Sequence, residues 1–118
     1  MKNINQNKIK PILPSLREKK RYIAYKVKAN KPIDNSTLRN AVNSYMLKFL
    51  GELSYAKAGI ILLDCKNNKG IIKTSNNYVN EVKASLALID SIENNVVAFR
   101  SICVSGSLSK AVSKMEVI

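Results

Sequence analysis

The chain has 118 residues, 46% of them hydrophobic, no histidine, and a formal charge of +12. That is one domain with a modest core, too apolar to be disordered. No apolar run reaches the roughly 20 residues that span a bilayer, and the lysines near the N-terminus have no apolar stretch behind them, so no signal peptide is expected.

The charge sits at one end. Residues 1–31 carry ten cations against Glu18 alone, a net +9, which leaves +3 for the rest. Such an asymmetric footprint points to nucleic acid. An anionic membrane is the weaker option, because Met1–Lys10 has only Met1, Ile4 and Ile9 as apolar residues and no continuous apolar face.

Met1–Pro14 is polar and broken by Pro11 and Pro14, and reads as an extended basic arm. We count residues 1–12 as the arm and 13–118 as the domain. Arg17, Lys19, Lys20 and Arg21 place four cations in five positions at the mouth of the first strand, Arg21–Ala29. Period-2 alternation puts Ile23, Tyr25 and Val27 on one face of that strand and Tyr22, Ala24, Lys26 and Lys28 on the other. A turn at Asn30-Lys31-Pro32 leads to a helix capped by Asp34 or Ser36. The helix runs to about Leu50, with Leu38, Val42, Tyr45, Met46 and Phe49 on one face and Gly51 as its left-handed cap.

Ala58–Lys66 is predicted as strand two and Gly70–Ser75 as strand three, joined by a tight turn at Asn67-Asn68-Lys69-Gly70. Tyr78–Ile92 reads as a second helix, capped by Asn76 or Asn77, with Val79, Val82, Leu86 and Ile89 inward. Asn94-Asn95 turns the chain into strand four, Val96–Ser105. Gly106 ends that strand, and Ser107 caps a short helix, Leu108–Met115. The order β-α-β-β-α-β is that of an α+β, ferredoxin-like (RRM-like) sandwich with an added C-terminal helix. In it, two helices cover one face of a four-stranded antiparallel sheet, and the other face is free for RNA or protein.

Catalytic groupings are sparse. The commonest general base is missing. The eight acids, Glu18, Asp34, Glu52, Asp64, Glu81, Asp90, Glu93 and Glu116, are scattered, with no spacing that suggests a two-metal site. The four glycines form no phosphate-cradling loop. Cys65 and Cys103 sit in apolar, strand-like runs and read as small buried hydrophobes of a cytoplasmic, reducing environment. We expect no metal or cofactor bound by the protein.

Binding remains. Strand three carries no aromatic, and strand one has Tyr22 and Tyr25 on opposite faces, so base reading by stacking is disfavoured. Tyr45, Phe49 and Tyr55 read as packing residues. Phosphate contact is the better reading, through Lys8, Lys10, Arg17, Lys19, Lys20 and Arg21, with Lys73 of strand three added. Arg100 interrupts an apolar strand, either as an edge-protecting charge or as an RNA-facing cation. A protein-interaction adaptor with an incidental basic arm is the alternative.

Leu13-Pro14-Ser15-Leu16-Arg17-Glu18-Lys19-Lys20-Arg21-Tyr22-Ile23-Ala24-Tyr25-Lys26-Val27 resembles the opening motif of the archaeal ribonuclease P protein component 2 family, the Pop-five-type subunits. The likeness continues at Leu50-Gly51-Glu52-Leu53, Gly70-Ile71-Ile72-Lys73, Tyr78-Val79-Asn80-Glu81-Val82-Lys83 and Val104-Ser105-Gly106-Ser107. It covers residues 13–110. The resemblance implies an RRM-like sandwich that supports the catalytic domain of ribonuclease P RNA in removing the 5′ leader of precursor tRNA. The catalyst would be the RNA with its bound Mg2+. The protein partner would be a barrel-type subunit, in a heterotetramer with two copies of each. The apolar positions Ile61 and Leu63 of strand two and Val97 and Phe99 of strand four, or one helix flank, would meet that partner. Ser107 stands where the family often has Thr, which keeps the capping hydroxyl.

Overall fold

The computed structural model describes residues 19–117, with backbone alone at 64–66 and 117. The elements are β1 (Lys20–Ala29), α1 (Asn35–Ala58), β2 (Ile61–Lys66), β3 (Lys69–Ser75), α2 (Val79–Leu88), β4 (Ser91–Ile92), β5 (Asn95–Ser105) and α3 (Leu108–Val117). A single 3-10 turn, Asn76–Tyr78, leads into α2. The strands form one antiparallel sheet in the order β2-β3-β1-β5-β4. The four strands β2-β3-β1-β5 have the ferredoxin-like arrangement expected from the sequence, and β4 is a short fifth strand beside β5.

β1 alternates as predicted. Ile23, Tyr25 and Val27 enter the larger core with Leu38, Val42 and Met46 of α1, Val82 and Leu86 of α2, and Ile72, Val97 and Phe99 of the sheet. Tyr25 and Phe99 meet with ring centroids 5.7 Å apart. Gly70 belongs to β3 rather than to the turn. It lies directly opposite Tyr25, and a Cβ there would stand 2.6 Å from Tyr25 Cζ. The glycine is required because the buried tyrosine ring lies across its backbone. The turn itself is Asn67-Asn68, both at positive φ (53° and 59°), the type I′ geometry that matches strand twist.

The first helix differs from expectation. Gly51 has positive φ but extended ψ (81°, 162°), which kinks the helix rather than capping it. Helix resumes to Ala58, and Gly59 supplies the left-handed cap at φ 62°, ψ 46°. The last carbonyl is not left bare: the buried Thr74 hydroxyl of β3 donates to Ala58 O at 3.0 Å. Asp34 stands at the N-terminal cap position, but its side chain makes no capping hydrogen bond to the first turn. The Ser36 hydroxyl, which donates to it, is the main cause that holds its exposed carboxyl below the ordinary 3.8. At the other end of the fold, α2 stops at Leu88. Ser75, not Asn76 or Asn77, caps the turn before it, its hydroxyl accepting from Asn77 N at 3.3 Å. Ser91 and Ile92 pair with Val96 and Asn95 across a Glu93-Asn94 turn with φ of 50° and 65°. Buried Asn95 is a clasp: its amide donates to Lys31 O at 2.9 Å and accepts from Lys31 N at 3.1 Å.

The face expected to be free is partly closed. α3 folds back so that Ala111 and Met115 pack on Ala24 and Ile71, in a second core flanked by Tyr22, Leu63, Ile102, Cys103 and Val112. A bulge makes this possible. Ala24 pairs with Cys103 but Tyr25 with Ser101, so Ile102 is an extra residue and both Ile102 and Cys103 reach α3. Ser107 caps α3 as expected, its hydroxyl accepting from Lys110 N at 3.5 Å.

Two stability tests follow from this packing. Gly70→Ala is expected to cost about 1–3 kcal/mol in denaturant unfolding by overpacking, and less in a Tyr25→Leu background, where the ring is gone. For Asp34, the lowered carboxyl makes its contribution present above the ordinary value and lost as pH falls through the lowered one. The stability gap between wild type and Asp34→Ala should therefore narrow in acid.

Candidate nucleic-acid interface

The cationic residues divide between the two ends of β1. At its mouth, Lys19 and Lys20 are exposed and Arg21 is half-buried. The mouth is fastened to the 3-10 turn that follows β3 by Asn76 N donating to Lys19 O at 2.7 Å. Adjacent residues of a strand point to opposite sides, and these two cations diverge. A Cβ on Gly59, the α1 cap, would lie 3.3 Å from Lys20 Nζ, and one on Gly106 would lie 3.3 Å from Arg21 Nη1. Lys20 thus stands near the C-terminal end of α1, where a cation is favoured. Arg21 lies against the β5–α3 junction and donates from Nη1 to Lys20 O at 3.0 Å. The cluster is a collar around the strand entrance, not a single patch. Lys8, Lys10 and Arg17 lie outside the described residues.

Lys73 sits on the face that α3 partly covers, with Nζ 6.0 Å from the centroid of the Tyr22 ring, at the limit of a cation–π contact. Arg100 is exposed on β5, directly opposite Lys26 of β1. It belongs to the far end of the sheet, away from the mouth.

The residues expected to meet a partner fare unevenly. Val97 and Phe99 are 5% and 8% exposed and face the larger core, so they are corrected to core residues: alternation from Ala98 and Arg100 turns them inward. Leu63 is half-buried beside α3. Ile61 is 49% exposed on the sheet-edge strand β2. The sequence reading missed more exposed apolar surface on α1, at Leu47, Phe49 and Leu53, the last 69% exposed. Tyr45 packs against the larger core and its hydroxyl donates to Ser91 O at 3.0 Å, as expected of a packing residue; Phe49 stacks on Tyr45 at 5.5 Å but is exposed, not on the buried face where it was expected. Tyr55 also packs against the larger core and donates to Asn43 Oδ1. Cys103 is half-buried against α3; the Cys65 side chain lies outside the described residues.

No three acidic or cysteine side chains converge among the described residues, and none of the described helices is long and apolar enough to cross a membrane. Residues 21–116 match the model of the Rpp14/Pop5 family. The chain belongs to the Rpp14/Pop5 family.

Its relatives include ribonuclease P protein component 2 of Methanosarcina mazei, 34% identical over 106 residues, 90% of this chain and 91% of the relative. The protein of that name from Pyrococcus furiosus is 36% identical over 103 residues, 86% of each chain. In three dimensions this Rpp14/Pop5 chain is similar to one in a cryo-EM structure of yeast ribonuclease MRP. The TM-score is 0.63 at 13% identity, over 86% of this chain and 89% of that one, a likeness of fold. The family match begins at Arg21, so it spans the collar's last residue, both cores and α3.

α3 is the element that decides which sheet surface of this family member is accessible. Met115→Ala is expected to destabilise the chain by about 2–5 kcal/mol in urea unfolding, as a buried side chain that leaves a cavity does. A loss below half a kcal/mol would show that α3 is not docked on Ala24 and Ile71 in solution.

Proposed function

We propose that the chain is a protein subunit of cytoplasmic ribonuclease P, binding the catalytic RNA that removes the 5′ leader from precursor tRNA. The observation that carries this is the family match along nearly the whole domain, to relatives that are named ribonuclease P protein component 2. The surface chemistry supports it. Cations ring the mouth of β1, and the face where RRM-type sheets stack bases is occupied at its centre by α3. The protein's part is electrostatic: its lysines and arginines offset phosphate repulsion, so that the RNA holds its active fold with less Mg2+. The Mg2+ and the chemistry belong to the RNA. A barrel-type subunit is the proposed protein partner, two copies of each forming a heterotetramer. Exposed Ile61 on the β2 edge is the member of the original apolar set that remains open to such a partner.

Reconstitution tests the reading. Adding the chain with its partner subunit to ribonuclease P RNA is expected to raise precursor-tRNA cleavage at low Mg2+ by tenfold or more, and the protein without RNA is expected to cleave nothing. Absence of stimulation contradicts the proposal. The triple variant Lys19→Gln, Lys20→Gln, Arg21→Gln is expected to lose about 2–3 units of log–log salt slope in RNA binding, from about 0.7–0.9 per phosphate contact.

A further inference from the structure

The register of the central strands lines up three cations. Lys26 of β1 stands directly opposite Lys69 of β3 on one side and Arg100 of β5 on the other. Directly opposed residues share a face of the sheet, and neighbouring strands are about 4.8 Å apart. Two residues further on, Lys28 returns to that face opposite Ala98. Lys28 and Arg100 are exposed, and Lys26 and Lys69 are half-buried. None of the four has an ion-pair partner among the described residues. The shallow depression between β1 and β5 is lined by Lys26, Val27, Lys28, Ala98 and Arg100, with no carboxylate.

Like charges directly opposite on adjacent strands destabilise a sheet. A row of three with no carboxylate beside it among the described residues is a cost to the fold, and a neutral residue at the middle position would remove it. We infer that this row is a phosphate-binding site for an RNA strand that crosses β3, β1 and β5. The inference rests on the RNA-binding reading above, yet the site is separate from the collar. Arg21 and Lys26 are five residues apart on β1, roughly 17 Å at strand rise.

The chemistry favours backbone over bases. The row contains no aromatic, and Tyr22, the β1 aromatic on this face, is packed beside α3. Ala98 keeps the floor of the depression low, so a phosphate chain can lie on the cations without displacing a large side chain. A lipid surface is the less suitable anion, because no apolar helix face accompanies the cations.

The test uses the full chain and the triple variant Lys26→Gln, Lys69→Gln, Arg100→Gln. Binding to the transcribed catalytic domain of ribonuclease P RNA is measured across a salt series, beside thermal melts and binding to phosphatidylserine vesicles. The row variant is expected to lose about 2–3 units of log–log salt slope and to bind at least tenfold more weakly at moderate salt. Its Tm should equal or exceed that of the wild type, because repulsion has been removed. A slope lost only in the collar variant Lys19→Gln, Lys20→Gln, Arg21→Gln overturns the row and leaves the RNA-binding reading standing. A lowered Tm that accounts for the weaker binding also overturns it, as does vesicle binding that depends on the row while RNA binding does not. No RNA binding by the wild type overturns both.

Discussion

β1 is paired on both sides, and its alternate residues enter two different cores. Ile23, Tyr25 and Val27 go to the core under α1 and α2, while Tyr22 and Ala24 go to the one under α3. A slip of one residue would exchange the faces and drive Lys26 and Lys28 into an apolar interior without partners, at a cost no packing gain offsets. The Tyr25 ring lying on Gly70 fixes the same register sterically, because no other residue of β3 leaves room for it. The placement of every cation on the sheet follows from that one alignment.

α3 then sets what the outer face can do. By packing on Ala24 and Ile71 it closes the middle of the surface that an RRM-like sheet usually leaves open. Cations remain on either side of it, in the collar at Lys19–Arg21 and in the row of Lys69, Lys26 and Arg100. On the function proposed above, these two places are where the chain would grip the backbone of a folded RNA, as an electrostatic brace with no open aromatic on the described outer face for reading bases.

Much of the fold was legible because its signals are local. The alternation in β1, the Asn67-Asn68 turn and the stripe of Leu38, Val42 and Met46 each follow from a few neighbouring residues. The misses share a cause in tertiary structure. Val82, Leu86, Ile89 and Ile92 keep helical spacing, so nothing local separates Ile89 and Ile92 from α2; the Asn95 clasp and the pairing of Ser91 with Val96 do that. Gly51 carries the residue type of a cap, but the chain beyond it still has an apolar face to bury. The partial closure of the outer face was hidden because Ala111 and Met115 show only a short i, i+4 stripe. Val97 and Phe99 were expected at the partner surface; strand four is apolar on both sides near its start, and pairing with β1 decides which side is core. The basic row was half visible: alternation groups Lys26 with Lys28, but Lys69 and Arg100 join them only through the register.

The most direct measurement is an NMR titration of the isotope-labelled full chain with the catalytic domain of ribonuclease P RNA, at low and at high salt. The expected result is salt-sensitive shifts at both ends of β1, around Lys20 and Arg21 and around Lys26, Lys69 and Arg100. Amides of α2 and of the Ala24–Ile71–Met115 core should stay in place. Shifts concentrated on α1 and α2, or loss of the Ala111 and Met115 signals as α3 lifts from the sheet, would contradict the two-ended phosphate brace.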